Sequence, residues 1–272
     1  MAHHPTPAAS DLRRLAEQAA RFGGEVALAA FGREHAVRLK HDHSEVTDID
    51  VAAERAVVGL LRAARPGDGF ITEEHPPAPS SSGVWWIVDP IDGTRNFIRG
   101  IPCFGCSVAA MVDGWPVAGA IYDPVAPAMY SVDRESGAWL DDAPLRLAAA
   151  PEPAAAGAKP KLLVAIPSAR HARTHAIVLR WIDELVIRNF GAATTHLAMV
   201  AAGRLDAALL TNSRLWDIAA GWAIVKGAGG EMTTPEGAAH FPIDTAAYRD
   251  AEMPALAASR AAHAQLVPSR RG

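Results

Sequence analysis

Two carboxylates, Asp89 and Asp92, stand three residues apart directly after an apolar run that predicts a β-strand. Pro90 and Gly93 are turn residues, which we expect to end the strand so that both acids and the carbonyl of Ile91 project from its end. Oxygen ligands at this density suit Mg²⁺, which binds carboxylates and carbonyls. The alternative is an acidic turn with no chemical role, because Asp and Gly are ordinary turn residues.

The residues that follow Gly93 can begin a helix, whose first backbone N–H groups have no partner inside the helix. Such N–H groups, together with the helix dipole, attract phosphate. The segment therefore predicts a metal site and a phosphate site at the same place.

Length and composition restrict the class of protein. The chain has 272 residues, 50% of them hydrophobic, and a formal net charge of -4. These values predict one large or two smaller domains with a substantial core, and no nucleic-acid partner, because no basic surplus is present. The sequence shows neither an apolar run near membrane-spanning length nor a start that resembles a signal peptide, so we expect no membrane association and a cytoplasmic location.

The two cysteines of the chain, Cys103 and Cys106, form a Cys-x-x-Cys pair. A structural zinc ion needs about four ligands, and the sequence has no second pair of this kind. We interpret both thiols as small buried hydrophobic groups, with a redox or metal function as the alternative.

The pattern of apolar residues predicts an N-terminal α+β domain over residues 1–150 that contains the metal and phosphate site. A helix is predicted from Asp11 to about Phe31, capped by Ser10 and weakened in its middle by Gly23 and Gly24. A second helix is predicted from about Asp48 to Ala64. Strands are predicted at 70–72, 84–88, 107–112, 117–122, 128–132 and 138–140, the last four as an antiparallel meander.

A second, α/β domain is predicted over residues 151–272, where it closes the site and contacts substrate. Residues 148–160 are low in complexity, carry three prolines and are typical of a linker. Beyond them, strands predicted at 162–166, 186–188 and 207–210 alternate with helices predicted at 170–184, 194–202 and 217–228.

Four motifs make the chain similar to the inositol monophosphatase family of Mg²⁺-dependent, lithium-sensitive phosphomonoesterases. They are Trp86 to Pro102, Trp216 to Gly221 followed by Gly227 to Gly230, Val46 to Asp50, and Glu73 with Glu74. These motifs stand in the family's order over most of residues 40–230. The resemblance implies a mixed α+β and α/β fold, a layered αβαβα sandwich of the sugar-phosphatase type.

The resemblance also implies a set of metal ligands. Glu73, Asp89 and the carbonyl of Ile91 would hold a first Mg²⁺, and Asp89, Asp92 and Asp217 a second, so that Asp89 bridges the two ions. A third, weaker Mg²⁺ near Glu73 is also implied. Two ions arranged in this way can stabilise both the attacking and the leaving oxygen of a displacement.

Further roles follow from the same resemblance. Glu73 and Thr94, the latter hydrogen-bonded to Asp50, would orient and deprotonate the attacking water. The backbone amides of Gly93 and Thr94 would bind phosphate, in a homodimeric enzyme that acts on a small phosphorylated metabolite. The residues implied to contact substrate are Asp92, Gly191, Ala193 and Asp217.

Several of these residues have simpler interpretations. Asp50 could serve only as a helix cap, and Asp217 could be the N-cap of its helix as well as a ligand. We interpret Glu74 as a solvated neighbour of the site and Lys40 as a surface residue.

The substrate side departs from the family pattern, because Leu210 occupies the position, seven residues before Asp217, where relatives that act on inositol phosphate have a carboxylate. Asn212 or Ser213 could replace that contact, and Arg214 could face a second acidic group of the substrate or lie on the surface. Inositol 1-phosphate is our first choice, with histidinol phosphate and a nucleoside bisphosphate as alternatives. A non-catalytic regulatory protein is the distant alternative, which the retained ligands argue against.

Overall fold

The computed structural model describes residues 7–40, 45–147, 161–168 and 174–267. The helices in this part of the chain are α1 (Ala9–Ala30), α2 (Asp48–Ala64), α3 (Thr94–Ile98), α4 (His175–Glu184), α5 (Ala193–Ala201), α6 (Leu215–Gly227) and α7 (Arg260–Leu266). The predicted linker, 148–160, lies outside the described residues, so the division into two domains at residue 150 stays a prediction.

The larger sheet has seven strands, which lie side by side in chain order. They are β3 (Gly69–Thr72), β4 (Val84–Asp92), β5 (Gly105–Val112), β6 (Trp115–Asp123), β7 (Ala128–Asp133), β8 (Gly137–Leu140) and β9 (Ala143–Leu145). β3 is parallel to β4. β5 to β8 form the predicted antiparallel meander, which β4 extends at one end and β9 at the other. A separate antiparallel pair, β1 (Val37–Leu39) and β2 (Glu45–Thr47), precedes α2.

The smaller sheet has five strands in the order β11-β10-β12-β14-β13. Their bounds are β10 (Leu163–Ala165), β11 (Val186–Arg188), β12 (Ala207–Leu210), β13 (Glu231–Thr233) and β14 (Ala255–Ala258). β10 is parallel to β11 and β12, as expected for an α/β unit, whereas β14 is antiparallel to β12 and β13. The sequence patterns did not predict β13, β14 or α7.

The elements stack in five layers. α1 and α2 cover one face of the larger sheet, α5 and α6 lie between the two sheets, and α4 and α7 cover the outer face of the smaller sheet. Because side chains alternate along a strand, Trp86 and Val88 of β4 pack beneath α1 and α2, while Ile87 faces α5 and α6. The predicted αβαβα sandwich is confirmed.

The first helix differs from its prediction at its start and in its middle. It begins at Ala9, so Ser10 is a helical residue and not the cap. Gly23 and Gly24 lie in a continuous helix, where they let α1 approach its neighbours closely. A Cβ atom on Gly23 would lie 2.6 Å from Cγ2 of Val57, and one on Gly24 would lie 2.6 Å from the ring of Tyr122.

Strand β4 is longer than predicted, because it continues through Pro90 to Asp92. Its pairing with β5 shifts register between Asp89 and Asp92, so the strand passes the proline through an irregularity instead of ending there. Both carboxylates therefore lie at the carboxyl end of a strand, as expected, although the turn begins later than predicted.

The two cysteines differ from each other. Cys106 lies on β5, is fully buried and has a thiol pKa that burial raises to about 12. Cys103 precedes the strand and is partly exposed, so the prediction of two buried thiols is wrong for this residue. Both are free cysteines.

Candidate active site

Two neighbouring strands bring the first carboxylates together. β3 and β4 are parallel with Thr72 opposite Val88, so Glu73 and Asp89 leave the same edge of the sheet side by side. Asp89 is two residues beyond Ile87, whose side chain packs toward the α5 and α6 layer. The first turn of α6 carries Asp217 and lies at this same edge.

Asp89, Asp92 and Asp217 form a cluster in which one carboxylate oxygen of each residue lies within 4.8 Å of the others. Asp89 is 1% exposed, and its Oδ1 has no hydrogen-bond partner within the described part of the chain. Burial raises the pKa of Asp89 well above its usual value, and the charges of Glu73, Asp92 and Asp217 raise this pKa further. Without a cation, Asp89 therefore holds its proton more tightly than a free carboxyl group does.

Asp92 uses one oxygen to connect the two halves of the chain. Its Oδ2 accepts hydrogen bonds from both the backbone N–H and the hydroxyl of Thr194, each at 2.6 Å. Asp92 thereby caps α5, whose own N-cap residue, Ala192, has no side-chain acceptor. Burial raises the pKa of Asp92, and the hydrogen bonds from Thr194 oppose that shift. The sequence did not indicate the role of Thr194.

Asp217 is the third residue of α6 and not its N-cap, which corrects one interpretation from sequence. The N-cap is Arg214, whose backbone N–H donates to Oδ2 of Asp217 at 2.5 Å. Burial raises the pKa of Asp217 well above its usual value, with the charges of Asp92 and Glu73 adding to the shift.

Glu73 lies beside this cluster and shares a lysine with Glu74. Nζ of Lys40 donates to Oε1 of Glu73 at 2.6 Å and to Oε1 of Glu74 at 2.7 Å. Burial raises the pKa of Glu73 against the opposing charge of Lys40, and burial and then the charge of Glu73 raise the pKa of Glu74 to about 7. Interpreting Lys40 as a surface residue and Glu74 as a solvated one was therefore wrong.

The turn that carries Glu73 is held from below by Glu54 of α2, which is 1% exposed. Oε1 of Glu54 accepts from the hydroxyl of Thr72 at 2.8 Å and contacts Nδ1 of His75, and Oε2 accepts from the backbone N–H of Glu74 at 2.8 Å. The carboxylate of Glu54 thus fixes the residues on both sides of Glu73.

Asp50 is both a capping residue and a partner of Thr94, so the two interpretations of this acid are compatible. Its Oδ2 accepts from the backbone N–H of Thr47, the N-cap of α2, at 2.8 Å. Its Oδ1 lies 3.0 Å from the hydroxyl of Thr94, which also lies 3.0 Å from the carbonyl oxygen of Ile91. The predicted pairing of Thr94 with Asp50 is present.

Gly93 is the N-cap of α3 and has a positive φ of 94°. A Cβ atom here would lie 3.0 Å from the carbonyl oxygen of Cys103, so both conformation and space require glycine. Nearby, Nδ2 of Asn96 donates to the carbonyl oxygens of Cys103 and Phe190, each at 2.7 Å, and so ties α3 to the C-terminal half. A Cβ on Gly191 would collide with this amide, at 2.8 Å.

A cavity of about 570 Å³ opens above the carboxylates. It is lined by the predicted site residues Glu73, Asp92, Gly93, Thr94, Gly191, Ala193 and Asp217, and by Asn96, His196, Leu210, Thr211 and Asn212. Asp50, Asp89 and Ile91 are not among its lining residues, and each is 1% exposed. The histidine was not anticipated; burial lowers its pKa to about 4, and its Nε2 accepts the backbone N–H of Phe190 at 3.0 Å.

In the loop between β12 and α6, Asn212 is the one exposed side chain that lines the cavity. Ser213 donates its hydroxyl to the carbonyl oxygen of Met253 at 2.7 Å, and Arg214 pairs with Asp250 at 2.8 Å. Arg214 is therefore engaged with the protein's own acids, while Asn212 is exposed and lines the cavity beside buried Leu210.

These observations define the class of site. Three clustered carboxylates offer hard oxygen donors, and an oxygen of Asp89 with no protein partner fits a bound divalent cation. The cavity beside them is lined by Gly93, the N-cap residue of α3. The arrangement is that of a metal-assisted hydrolase for phosphate esters.

Comparison with known proteins identifies the family. The family model of the inositol monophosphatase family matches residues 8–271. An inositol-1-monophosphatase of Mesorhizobium japonicum is 35% identical over 242 residues, 85% of this chain and 88% of that protein, and a histidinol-phosphatase of Chlorobaculum parvum is 35% identical over 221 residues, 80% and 83%. The crystal structure of the extragenic suppressor protein SuhB from Bartonella henselae superposes with a TM-score of 0.83 at 31% identity and covers 94% of this chain and 96% of that one.

The chain belongs to the inositol monophosphatase family and is a phosphatase that hydrolyses phosphoric monoesters. The family is metal-dependent and acts on small phosphate esters. Within the described ranges, no helix combines the length and the apolar character needed to cross a membrane.

Proposed function

We propose that this phosphatase is Mg²⁺-dependent and that its first-choice substrate is inositol 1-phosphate. The observation that carries the metal assignment is the cluster of Asp89, Asp92 and Asp217. Burial and then the charges of neighbouring carboxylates raise the pKa of Asp89 and of Asp217, and Oδ1 of Asp89 has no partner in the described chain. Mg²⁺ is the cation that best fits a purely carboxylate and carbonyl donor set in a phosphate-ester site.

Two ions are proposed, one on Glu73, Asp89 and the carbonyl of Ile91, and one on Asp89, Asp92 and Asp217, with a third, weaker site near Glu73. Bound there, Mg²⁺ would neutralise phosphate charge and acidify a water molecule. Asp92 can supply Oδ1 to a cation while its Oδ2 remains bound to Thr194, so ligation and the α5 cap are compatible.

Thr94, Asp50 and Glu73 are proposed to orient the attacking water and receive its proton. The hydroxyl of Thr94 can donate to Oδ1 of Asp50, which leaves the lone pairs of its oxygen to accept from water. Asp50 is fixed by Thr47, so the direction of the Thr94 hydroxyl is set before substrate binds.

The backbone N–H groups of Gly93 and Thr94 are proposed to bind the phosphate oxygens. Both residues line the cavity, and the left-handed conformation of Gly93 begins α3 at its wall. Fixed N–H donors stabilise charge that develops on the phosphate without reorganising during the reaction.

The rest of the substrate would contact Asp92, Asp217 and the backbone of Gly191 and Ala193. The part of the lining formed by Leu210, Thr211 and Asn212 carries no charge. The amide of Asn212 can both donate to and accept from a hydroxyl group of the substrate. Inositol 1-phosphate remains the first choice because the relatives include inositol-1-monophosphatases, of which that of Mesorhizobium japonicum is 35% identical.

The test is phosphate release with Mg²⁺ from inositol 1-phosphate, histidinol phosphate and a nucleoside 3′,5′-bisphosphate. We expect kcat/KM to be highest for inositol 1-phosphate. A higher value for either other compound would replace the substrate assignment, and turnover of the three in the presence of chelator would contradict the metal assignment.

The variant Asn212→Leu tests whether Asn212 binds the hydroxyl groups of inositol without taking part in hydrolysis of the phosphate ester. We expect a loss of about tenfold or more in kcat/KM for inositol 1-phosphate, because a hydroxyl loses its polar partner. Activity on p-nitrophenyl phosphate, which has no hydroxyl groups to bind, should change little. Equal losses on both substrates would contradict a specificity role for Asn212.

A further inference from the structure

A second cavity, of about 650 Å³, lies away from the active site. Its walls are the start of β6, the turn between β7 and β8, the end of β9 and the last turns of α6. It shares no lining residue with the active-site cavity. Asp217 and Lys226 lie at opposite ends of α6, about 13 Å apart along the helix axis at about 1.5 Å per residue. The volume falls within the range of small-molecule sites.

Two indole rings form the apolar wall of this cavity. The ring centroids of Trp115 and Trp222 are 5.9 Å apart with the ring planes tilted by 45°. Trp222 is supported from behind by buried Phe241, at a centroid distance of 4.9 Å, whereas Trp115 is 42% exposed. An exposed indole beside a fixed one offers a stacking surface for a flat ring.

The charged lining favours an anion. Arg134 and Arg146 are exposed, and their guanidinium groups make no hydrogen bond or ion pair with any residue that the structure describes. Asp133 is neutralised by Arg13 and by the backbone N–H groups of the turn that follows it, which leaves exposed Glu135 as the opposing charge. Lys226, the remaining charged residue of the lining, is paired with Glu231 at 2.6 Å.

We propose that this cavity is a second ligand site, for a small anion that carries a planar aromatic ring, bound by stacking on Trp115 and by the guanidinium groups of Arg134 and Arg146. Guanidinium groups form paired hydrogen bonds with phosphate, sulfonate and carboxylate, and stacking orients the attached ring. The chemistry is shared by nucleotides and by other aromatic acids. The proposal is independent of the substrate of the phosphatase site.

The experiment measures binding to the full chain with Mg²⁺ and inorganic phosphate present, which fill the active site. The probes are adenosine 3′,5′-cyclic monophosphate, a phosphodiester that a phosphomonoesterase does not hydrolyse, and 1-naphthalenesulfonate. We expect calorimetry to give a Kd of about 1 mM or lower for at least one of the two probes. Adenosine lacks the negative charge, so its Kd should be at least about tenfold higher. Preference for the cyclic nucleotide identifies a nucleotide site, and preference for the sulfonate identifies a site for other aromatic acids.

The decisive variant is Arg134→Ala/Arg146→Ala, which changes exposed residues only and should leave phosphatase activity unchanged. We expect it to weaken binding of both probes by about tenfold or more. The matched control is Arg33→Ala/Arg180→Ala, which removes the same charge from exposed positions elsewhere and should bind as the wild type does. No binding of either probe at about 10 mM, or equal weakening by both double variants, would overturn the proposal.

Discussion

At the residue scale, Asp89 differs from the other buried acids of the protein. Asp68 accepts from the indole N–H of Trp86 and pairs with Arg65, and Asp133 accepts from two backbone N–H groups and from Arg13. The fold therefore pairs its buried carboxylates elsewhere, yet it leaves Oδ1 of Asp89 without a described partner, next to further negative charge. A cation is the partner that this arrangement fits, because an unpaired buried charge is costly.

The raised carboxylate pKa values predict how stability depends on pH without metal. An unfolded carboxyl group loses its proton near pH 4, but folded Asp89 and Asp217 retain theirs to higher pH. The folded state then binds more protons, so their contribution to stability falls as pH rises above about 4. We expect the gain in Tm of metal-free Asp89→Asn over the wild type to grow between about pH 5 and about pH 8. A gain that stays constant or shrinks would contradict these shifts.

Glu54 is expected to act on the metal through the turn that carries Glu73. Glu54→Ala removes the acceptor for Thr72 and for the backbone N–H of Glu74, so Glu73 loses its fixed position. We expect the Mg²⁺ concentration for half-maximal activity to rise about tenfold or more, as is usual when groups that orient metal ligands are removed. Glu54→Gln, which retains one acceptor, should show a smaller increase. A loss of stability with unchanged Mg²⁺ dependence would show that Glu54 is structural only.

At the element scale, the sequence predicted the elements whose bounds depend on residues within the segment, and it missed those that depend on a partner strand. The bounds of α2 agree with the sequence prediction, because Thr47 and Asp50 form a capping box within the segment itself. β13 and β14 have three and four residues and only a short apolar pattern, so their pairing depends on the sheet they join. The continuation of β4 past Pro90 likewise depends on its partner, β5.

The packing of α1 predicts opposite effects for the same substitution in two helices. Gly23→Ala would place a methyl group 2.6 Å from Val57 and 2.8 Å from the sulfur of Cys106, and we expect a loss of about 1 to 3 kcal/mol in the free energy of unfolding. Gly59→Ala in α2 meets no atom within 4 Å and should gain about 0.5 to 1 kcal/mol through helix propensity. Denaturant unfolding of both variants checks this, and a stabilising Gly23→Ala would contradict the close packing.

At the scale of the whole molecule, the site depends on contacts between distant parts of the chain. The motifs named the proposed ligands, including Asp89, Asp92 and Asp217, but gave no sign that Thr194, 102 residues beyond Asp92, binds that acid. Asn96 likewise reaches Phe190 across 94 residues. Such contacts follow from the stacking of the layers, which no local pattern contains.

A homodimer is the proposed assembly, and α4 with β11 offers a surface for it. Leu179 and Ile182 lie three residues apart on α4 and are 47% and 50% exposed, and Val186 is 38% exposed. We expect light scattering to give about twice the 28.7 kDa mass of one chain. Leu179→Glu/Ile182→Glu should reduce the mass to that of one chain. Leu28→Glu, which changes a residue of α1 that is 40% exposed, should not. A wild-type monomer would contradict the proposed assembly.

Phosphate release by Asp89→Asn is the measurement that tests the central claim most directly. The variant keeps the shape of the side chain but removes the charge shared by both proposed ions, so we expect the Mg²⁺-dependent rate on inositol 1-phosphate to fall about a thousandfold or more, with folding retained. Asp113→Asn, the same change at an exposed turn, should keep the wild-type rate. An Asp89→Asn protein that is folded and as active as the wild type would contradict the account.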